Sequence, residues 1–162
     1  MAIALERSNT PGRLYASYFQ TAFAVALGAL LISGVLKALS LMTARSPRFG
    51  AMLSMVSLAQ FPYYLVVLLM TTLILTVAPD PESLSIRNLI ATNPAAYMDK
   101  DTMAAGLYSL LESVDLLSFA EILLLSYGFG KLTRAGFFGG LAAVLGMWIV
   151  YVSIKMALSM LF

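Results

Sequence analysis

Four long apolar stretches, each long enough to cross a bilayer, constrain this chain more than any other feature. The first runs without a charge from Leu14 to Leu36, and the second runs uncharged from Phe49 to Pro79. The third ends at the basic turn that begins with Lys131, and the fourth fills residues 135–162. A helix of about 20 apolar residues spans the ~30 Å hydrocarbon layer, and no stretch alternates as barrel strands do. The sequence therefore predicts an all-α, polytopic integral membrane bundle of four transmembrane helices.

Helix start and stop residues set the expected bounds of these spans. Thr10-Pro11 supplies an N-cap and a first-turn proline, and Ser46-Pro47 gives a similar start for the second span. We expect a single membrane domain over residues 1–162, with spans at about 14–42, 49–78, 103–130 and 135–161. The connection at 80–101 contains DPESLSIRNLI, which places apolar residues among polar ones after an Asp-Pro-Glu start. This pattern predicts a short interfacial helix in that loop.

Composition supports a membrane class and excludes several kinds of site. Charged residues make up 11% of the chain, whereas soluble domains are about a quarter charged. The chain has no Cys and no His, which excludes disulfides, thiolate metal sites and imidazole ligation of haem or chlorophyll by this chain. No nucleophile with its base, phosphate loop or metal-ligand spacing is present in the sequence. We therefore predict no enzymatic activity and no cofactor, and the net charge of +2 is too small to indicate a nucleic-acid partner.

Basic residues predict the orientation of the bundle. The short connections at 45–48 and 131–134 each hold two basic residues and no acid, whereas the connection at 80–101 is mostly acidic. The positive-inside tendency then places both short turns in the cytoplasm and the acidic loop, with both termini, outside. Arg7 and Arg13 in the N-terminal tail favour the opposite orientation.

One carboxylate falls near the middle of the third span. Measured from the basic turns at ~1.5 Å per residue, Glu121 and Gln60 both lie roughly 14–18 Å deep. Pro62 removes a backbone donor near that level and frees the Leu58 carbonyl. We therefore predict an intramembrane polar cluster of Gln60, Glu121 and one of the adjacent tyrosines, with Tyr63 preferred.

Three roles are open for Glu121, because an acid inside the membrane is costly and has a partner or a purpose. It is a protonated, hydrogen-bonded structural carboxyl, a contact to a helix of another subunit, or a proton or ion relay. The first role is favoured, since the sequence holds a single such acid and no chain of His residues.

A second group of charges is expected near the outer boundary. Lys155 lies about 30 Å along its helix, level with Glu112 and Asp115 one helical turn apart. We predict an interhelical ion pair among these three residues that joins the third and fourth spans, with snorkelling ends. Contact with a transported ion or substrate is the alternative.

Small residues at a four-residue spacing predict close helix packing in the last span. Membrane helices associate through such packing because there is no water between them to exclude. The predicted packing residues are Gly136, Gly139, Gly140, Ala143 and Gly146. A comparable strip on the first span consists of Ala22, Ala26, Ala29 and Ser33. Packing within the chain is favoured over a dedicated oligomer surface.

Three segments then follow an order that is similar to a known family. They are SLAQFPYYLVVLL with Pro62, DLLSFAEILLLSYGFGKLTR led by Asp115, and WIVYVSIKMALSMLF with Lys155. With the basic turn at Lys131 and Arg134, this order resembles the Yip-domain family of multispanning membrane proteins in its compact prokaryotic form. The resemblance covers roughly residues 18–162.

Two departures accompany this resemblance. The family usually has five spans, and this chain lacks the counterpart of the first; Glu121 is not expected at its place in the family pattern. Eukaryotic members act in vesicle trafficking and bind Rab GTPases through a long cytosolic N-terminal region, which this sequence lacks. Some bacterial members resemble accessory subunits beside ABC-type export machinery.

The expected function is that of a non-catalytic subunit or scaffold in a larger complex of the bacterial inner membrane, in the role of an accessory to a transport or export machine. Its expected partners are the lipid bilayer and other membrane subunits. The alternatives are a small ion or solute transporter that uses Glu121, and a membrane-trafficking or membrane-shaping factor.

Overall fold

The computed structural model of the chain describes residues 11–77, 92–98 and 103–161, with side chains from Phe19 onward except that of Leu75. Helices account for all of the regular structure in these residues. The elements are α1 (Pro11–Ser40), α2 (Phe49–Val77), the 3-10 helix η1 (Pro94–Tyr97), α3 (Ala105–Ser113), α4 (Leu116–Thr133) and α5 (Gly136–Leu161). The predicted all-α fold class is confirmed.

Four of these helices are long and apolar enough to cross a membrane. The spanning segments are Phe19–Ser40 in α1, Phe49–Ile74 in α2, Leu116–Thr133 in α4 and Gly136–Leu161 in α5. The protein is therefore an integral membrane protein with four transmembrane helices. The first, second and fourth spans begin and end within a few residues of the predicted bounds.

The third span differs from the prediction of one helix over about 103–130, because the chain leaves helical geometry between α3 and α4. Val114 has φ −87° and ψ 89°, and Asp115 is extended at φ −125° and ψ 139°. The Oδ1 atom of Asp115 accepts a hydrogen bond from the Leu117 N–H at 3.2 Å. An aspartate at an N-cap satisfies a backbone donor that has no partner in the helix. The acid thus starts a new helix at the membrane boundary and does not interrupt a continuous one.

The interfacial helix predicted within the 80–101 loop lies largely outside the described residues. The part of this loop that the structure describes is residues 92–98, which contain η1. Asn93 caps η1, since its Oδ1 accepts the Ala96 N–H at 3.0 Å.

The four transmembrane helices form a ring in which neighbouring helices follow the order α1, α2, α4, α5. The helix α1 packs against α2 and touches α5, while α4 packs against α2 and most extensively against α5. We call the end with the short connections at 41–48 and 134–135 the turn end, and the opposite end, where α3 packs against α5, the loop end.

The apolar core lies in the half of the bundle nearest the turn end. All five of its largest fully buried apolar side chains lie within about two helical turns of a short connection. These side chains are Leu36, Met52, Val56, Phe129 and Val144. This half of the molecule is therefore packed like the interior of a soluble domain.

Buried hydroxyl groups in the helices bond to their own helix. Ser33 donates to the Ala29 carbonyl at 2.6 Å, and Ser126 donates to the Ile122 carbonyl at 2.6 Å. Donation to the carbonyl one turn back satisfies a hydroxyl where water is absent. Ser33 and Ser126 thus satisfy their hydroxyl groups within their own helices.

Polar contacts close one of the two short turns, and two residues with positive φ close the other. The Lys37 ammonium donates to the Ser46 hydroxyl at 2.7 Å and to the Pro47 carbonyl at 2.6 Å. At the other turn, Arg134 ends α4 with φ 61°, and Gly136 begins α5 with φ 73°. The second connection is therefore as short as two antiparallel helices allow, which explains why α4 and α5 are the most extensively packed pair.

Candidate functional site: an intramembrane cleft and the cavity above it

A glutamine and a glutamate from two different spans meet inside the bundle. The Gln60 side chain on α2 lies beside the Glu121 carboxyl group on α4. Gln60 is buried and Glu121 is partly buried. The structure thus brings together two of the residues predicted to form the intramembrane cluster, and Glu121 does not face lipid without a partner.

This pair lines an open cleft of about 510 Å³ to which all four transmembrane helices contribute. Leu31 and Val35 of α1 form part of one wall, and Ile122 and Leu125 of α4 form part of another. Volumes of ~300–1,000 Å³ with a mostly apolar lining and few polar groups are typical of small-molecule sites. Glu121 is the one acidic or basic residue in this lining.

Four aromatic side chains line the same cleft as Glu121. Tyr63 and Tyr64 of α2 line it, with ring centroids 5.4 Å apart and ring planes at 87°. Trp148 and Tyr151 of α5 line it from the other side. The predicted participation of Tyr63 agrees with its place in this wall, and Tyr64 lies beside it.

A second cavity of about 330 Å³ lies at the loop end and is more polar. Its lining includes Asn93 of the loop and the charged residues Glu112, Asp115 and Lys155. The two spaces are adjacent, because four residues line both of them. The shared residues are Tyr63, Ser118, Trp148 and Tyr151. The polar cavity at the loop end and the cleft at the Gln60–Glu121 pair therefore share a boundary formed by these four side chains.

An ion pair joins α3 to α5 at the rim of this outer cavity. The Lys155 Nζ atom lies 2.9 Å from Glu112 Oε2 and donates a second hydrogen bond to the Ser113 hydroxyl at 3.1 Å. The side chains are 30% and 16% exposed, so water reaches both partners in part. The structure places Lys155 and Glu112 together, as the sequence analysis expected.

Asp115 has a different role from the one expected of it. The prediction grouped it with Lys155 and Glu112, but in the structure its carboxylate caps α4 through the Leu117 N–H. The Leu116 N–H also donates a hydrogen bond to the Thr92 carbonyl oxygen at 3.5 Å. The prediction of one continuous helix did not suggest this role. Within a continuous helix the Leu117 N–H would bond to a backbone carbonyl and would not need the Asp115 side chain as an acceptor.

The small residues predicted on α5 divide into two groups. A Cβ atom at Gly140 would collide with the Ser126 carbonyl of α4, so this glycine forms the closest approach of the two helices. Ala143 is partly buried against the core. Gly139 and Gly146 are exposed, and a Cβ atom at Gly146 would have open space around it. The prediction that Gly146 packs against another helix of the chain is therefore wrong for the described residues.

Gly136 lies at the turn between α4 and α5. Its carbonyl group approaches Gly130, which was not among the predicted packing residues. A Cβ atom at Gly130 would collide with the Gly136 carbonyl. A Cβ atom at Gly128 would come within 2.6 Å of the Met55 side chain of α2. Both contacts could have been predicted from the two glycines of the SYGFG segment, Gly128 and Gly130.

The described residues contain no group of three or more His, Cys, Asp or Glu side chains that could hold a metal ion. Comparisons of the chain with protein-family models, with curated proteins and with solved structures gave no match. The resemblance to Yip-domain proteins therefore stays a prediction that rests on the residues quoted for it.

Proposed function

We propose that this chain is a non-catalytic subunit or scaffold of a larger membrane assembly in a bacterial inner membrane. The observation that supports this role is the uneven use of the small-residue strip on α1. Ala29 and Ser33, in the half of α1 toward the turn end, are buried within the chain. Ala22 and Ala26, which continue the same strip toward the loop end, are exposed.

An exposed small-residue strip on a membrane helix is suited to a partner helix. Small side chains let two helix backbones approach closely, and van der Waals packing then replaces contacts with lipid. The described side chains between Phe19 and Leu27 are all exposed except Val25, which is partly exposed. This half of α1 therefore exposes the same face that packs within the chain at Ala29 and Ser33, and we propose that a helix of another subunit binds there.

The test is isolation of the chain at its native expression level in a mild detergent, followed by identification of proteins that copurify in fixed stoichiometry. We expect the double substitution Ala22→Leu with Ala26→Leu to release the partner. The control is Ala24→Leu, which adds one such side chain about 160° away around the helix, and it is compared with the single substitution Ala22→Leu as well as with the double one. A chain that purifies alone, or a partner that is lost equally with Ala24→Leu, contradicts the proposal.

A second candidate function is movement of a small solute, which the two adjacent cavities between the loop end and Glu121 favour. A single membrane acid at the end of a water-accessible cavity is a common feature of solute pathways. The test is flux into liposomes that contain the purified chain. Flux equal to that of empty liposomes, or flux that Glu121→Gln leaves unchanged, contradicts this candidate.

A further inference from the structure

Among the described residues that line the two cavities, acidic side chains outnumber basic ones. The outer cavity is lined by the carboxylates of Glu112 and Asp115 and by one ammonium group, that of Lys155, which pairs with Glu112. Deeper in the cleft, Glu121 adds a third carboxyl group, and the described lining there includes no basic residue. A guest that carries positive charge would therefore be attracted by the excess of acidic groups among the described lining residues of both cavities.

The aromatic rings near Glu121 add a second attraction for the same charge. Tyr63, Tyr64, Trp148 and Tyr151 line the cleft beside the carboxyl group. Aromatic faces attract cations, and the gain grows as water is removed, with tryptophan the strongest of the three ring types. Carboxylate and rings together form the kind of environment that suits a cation whose charge is spread over a bulky organic group.

The remaining lining determines what the rest of the guest must be. The cleft away from Glu121 is formed by aliphatic side chains such as Leu31, Val35 and Val144. Apolar groups of a guest gain free energy there at roughly 25 cal/mol per Å² buried. A small hydrated inorganic cation would leave this surface uncovered.

We propose that the cleft binds a lipophilic organic cation, with its positive centre between the Glu121 carboxylate and the aromatic rings and its apolar groups against α1 and α5. The Gln60 amide lies beside this carboxyl group in the cleft. This binding does not depend on the subunit proposal, because the α1 strip at Ala22 and Ala26 lies outside the described lining of the cleft. For the transport candidate, it names the class of solute.

The chain carries its own reporter of this site. Trp148 is the single tryptophan of the sequence and lines both cavities. The experiment is titration of the full chain in lipid nanodiscs with tetraphenylphosphonium, followed through Trp148 fluorescence. We expect a saturable change in fluorescence. Tetraphenylborate, which has the same shape and the opposite charge, should produce no saturable change over the same concentrations.

Variants separate the charge of Glu121 from the shape of the cleft. Glu121→Gln keeps the size of the side chain and its capacity to bond with Gln60, and we expect it to raise the dissociation constant for tetraphenylphosphonium by at least about tenfold. Lys131→Gln changes one charge on an exposed residue at the turn end and should leave the dissociation constant unchanged. Helix content from circular dichroism and a monodisperse elution profile establish that each variant is folded.

Three outcomes would overturn the proposal. The first is equal saturable binding of tetraphenylphosphonium and tetraphenylborate, which would make the cleft an apolar site without preference for charge. The second is a folded Glu121→Gln variant with unchanged affinity. The third is no saturable fluorescence change with tetraphenylphosphonium. Each can occur whether or not the chain copurifies with a partner, so failure here is distinguishable from failure of the subunit proposal.

Discussion

The turn end and the loop end of this bundle are built from the same four spans but are packed in opposite ways. At the turn end, glycines bring α4 and α5 into backbone contact, and apolar side chains such as Phe129 are fully buried. Toward the loop end the helices separate around two adjacent open cavities, and the acids of the third span line them. Stability and binding thus occupy different halves of one small membrane domain.

The difference shows how a bilayer protein can hold carboxylates. In the packed half, buried hydroxyls such as Ser126 bond within their own helix, and no acid of the described residues lies there. In the open half, each described acid has a polar neighbour: Glu112 pairs with Lys155, Asp115 caps α4 and Glu121 lies beside Gln60. Charged groups occur where a partner or water can compensate for the loss of hydration.

The largest expected effect is a difference in chemical accessibility between two serines on the same helix. The chain has no Cys, so Ser118→Cys and Ser126→Cys each introduce a single thiol. Ser118 lines both cavities, whereas Ser126 is fully buried under α5. A water-soluble maleimide should label the first nearly to completion in detergent and the second hardly at all. Equal labelling of the two thiols would contradict the division of the bundle into a packed half and an open half.

A smaller effect, on stability, is expected from two glycines on α5. Gly140→Ala forces a methyl group against the Ser126 carbonyl and should lower the free energy of unfolding by about 1–3 kcal/mol. Gly146→Ala, on the same helix, meets open space and should not destabilise the protein. Unfolding in mixed micelles measures both. Similar losses at the two positions would mean that α4 and α5 do not make their closest contact at Gly140.

Next in size is loss of the cap at the start of α4. Asp115→Ala leaves the Leu117 N–H without its acceptor and should cost about 1 kcal/mol, whereas Asp115→Asn, which keeps an acceptor oxygen, should cost less. Hydrogen exchange at the first turn of α4 provides the local measurement. If Ala and Asn behave alike, the side chain is not acting as a cap.

The smallest effect is expected at the ion pair, because both of its side chains are partly exposed. A double-mutant cycle with Glu112→Gln and Lys155→Gln should give a coupling energy of about 0.5–1 kcal/mol that decreases at high salt. A coupling energy of zero at low salt would mean that this contact does not hold α3 to α5.

The fold could be predicted because the relevant properties are local. Length and apolarity identify a membrane span without knowledge of its neighbours, and the basic residues at 45–48 and 131–134 mark the two turns at one end. Depth along the helices also placed Gln60 and Glu121 at one level, since the rise per residue is nearly constant. The break before α4 was missed because apolar residues continue on both sides of Asp115.

The cavities could not be predicted from the sequence. Whether two helices touch or separate at a given level depends on their tilt, which one glycine contact such as Gly140–Ser126 can set. The helix α5 has no distinct apolar face, so its pattern does not reveal that Trp148 lines a cavity and is half-buried while Ile149 and Val150 are exposed. The cytoplasmic orientation of the turn end stays a prediction.

The short connection through Arg134 and Gly136 also has a consequence for biosynthesis. The α4 span has a mean hydropathy of 1.3, against 2.0 for α5, and it carries Glu121. Of the four spans, α4 is therefore expected to insert least stably into the membrane before α5 has been synthesised. We expect the translocon to release the two segments into lipid together as a hairpin, so that a nascent chain arrested before α5 would fail to integrate its third segment.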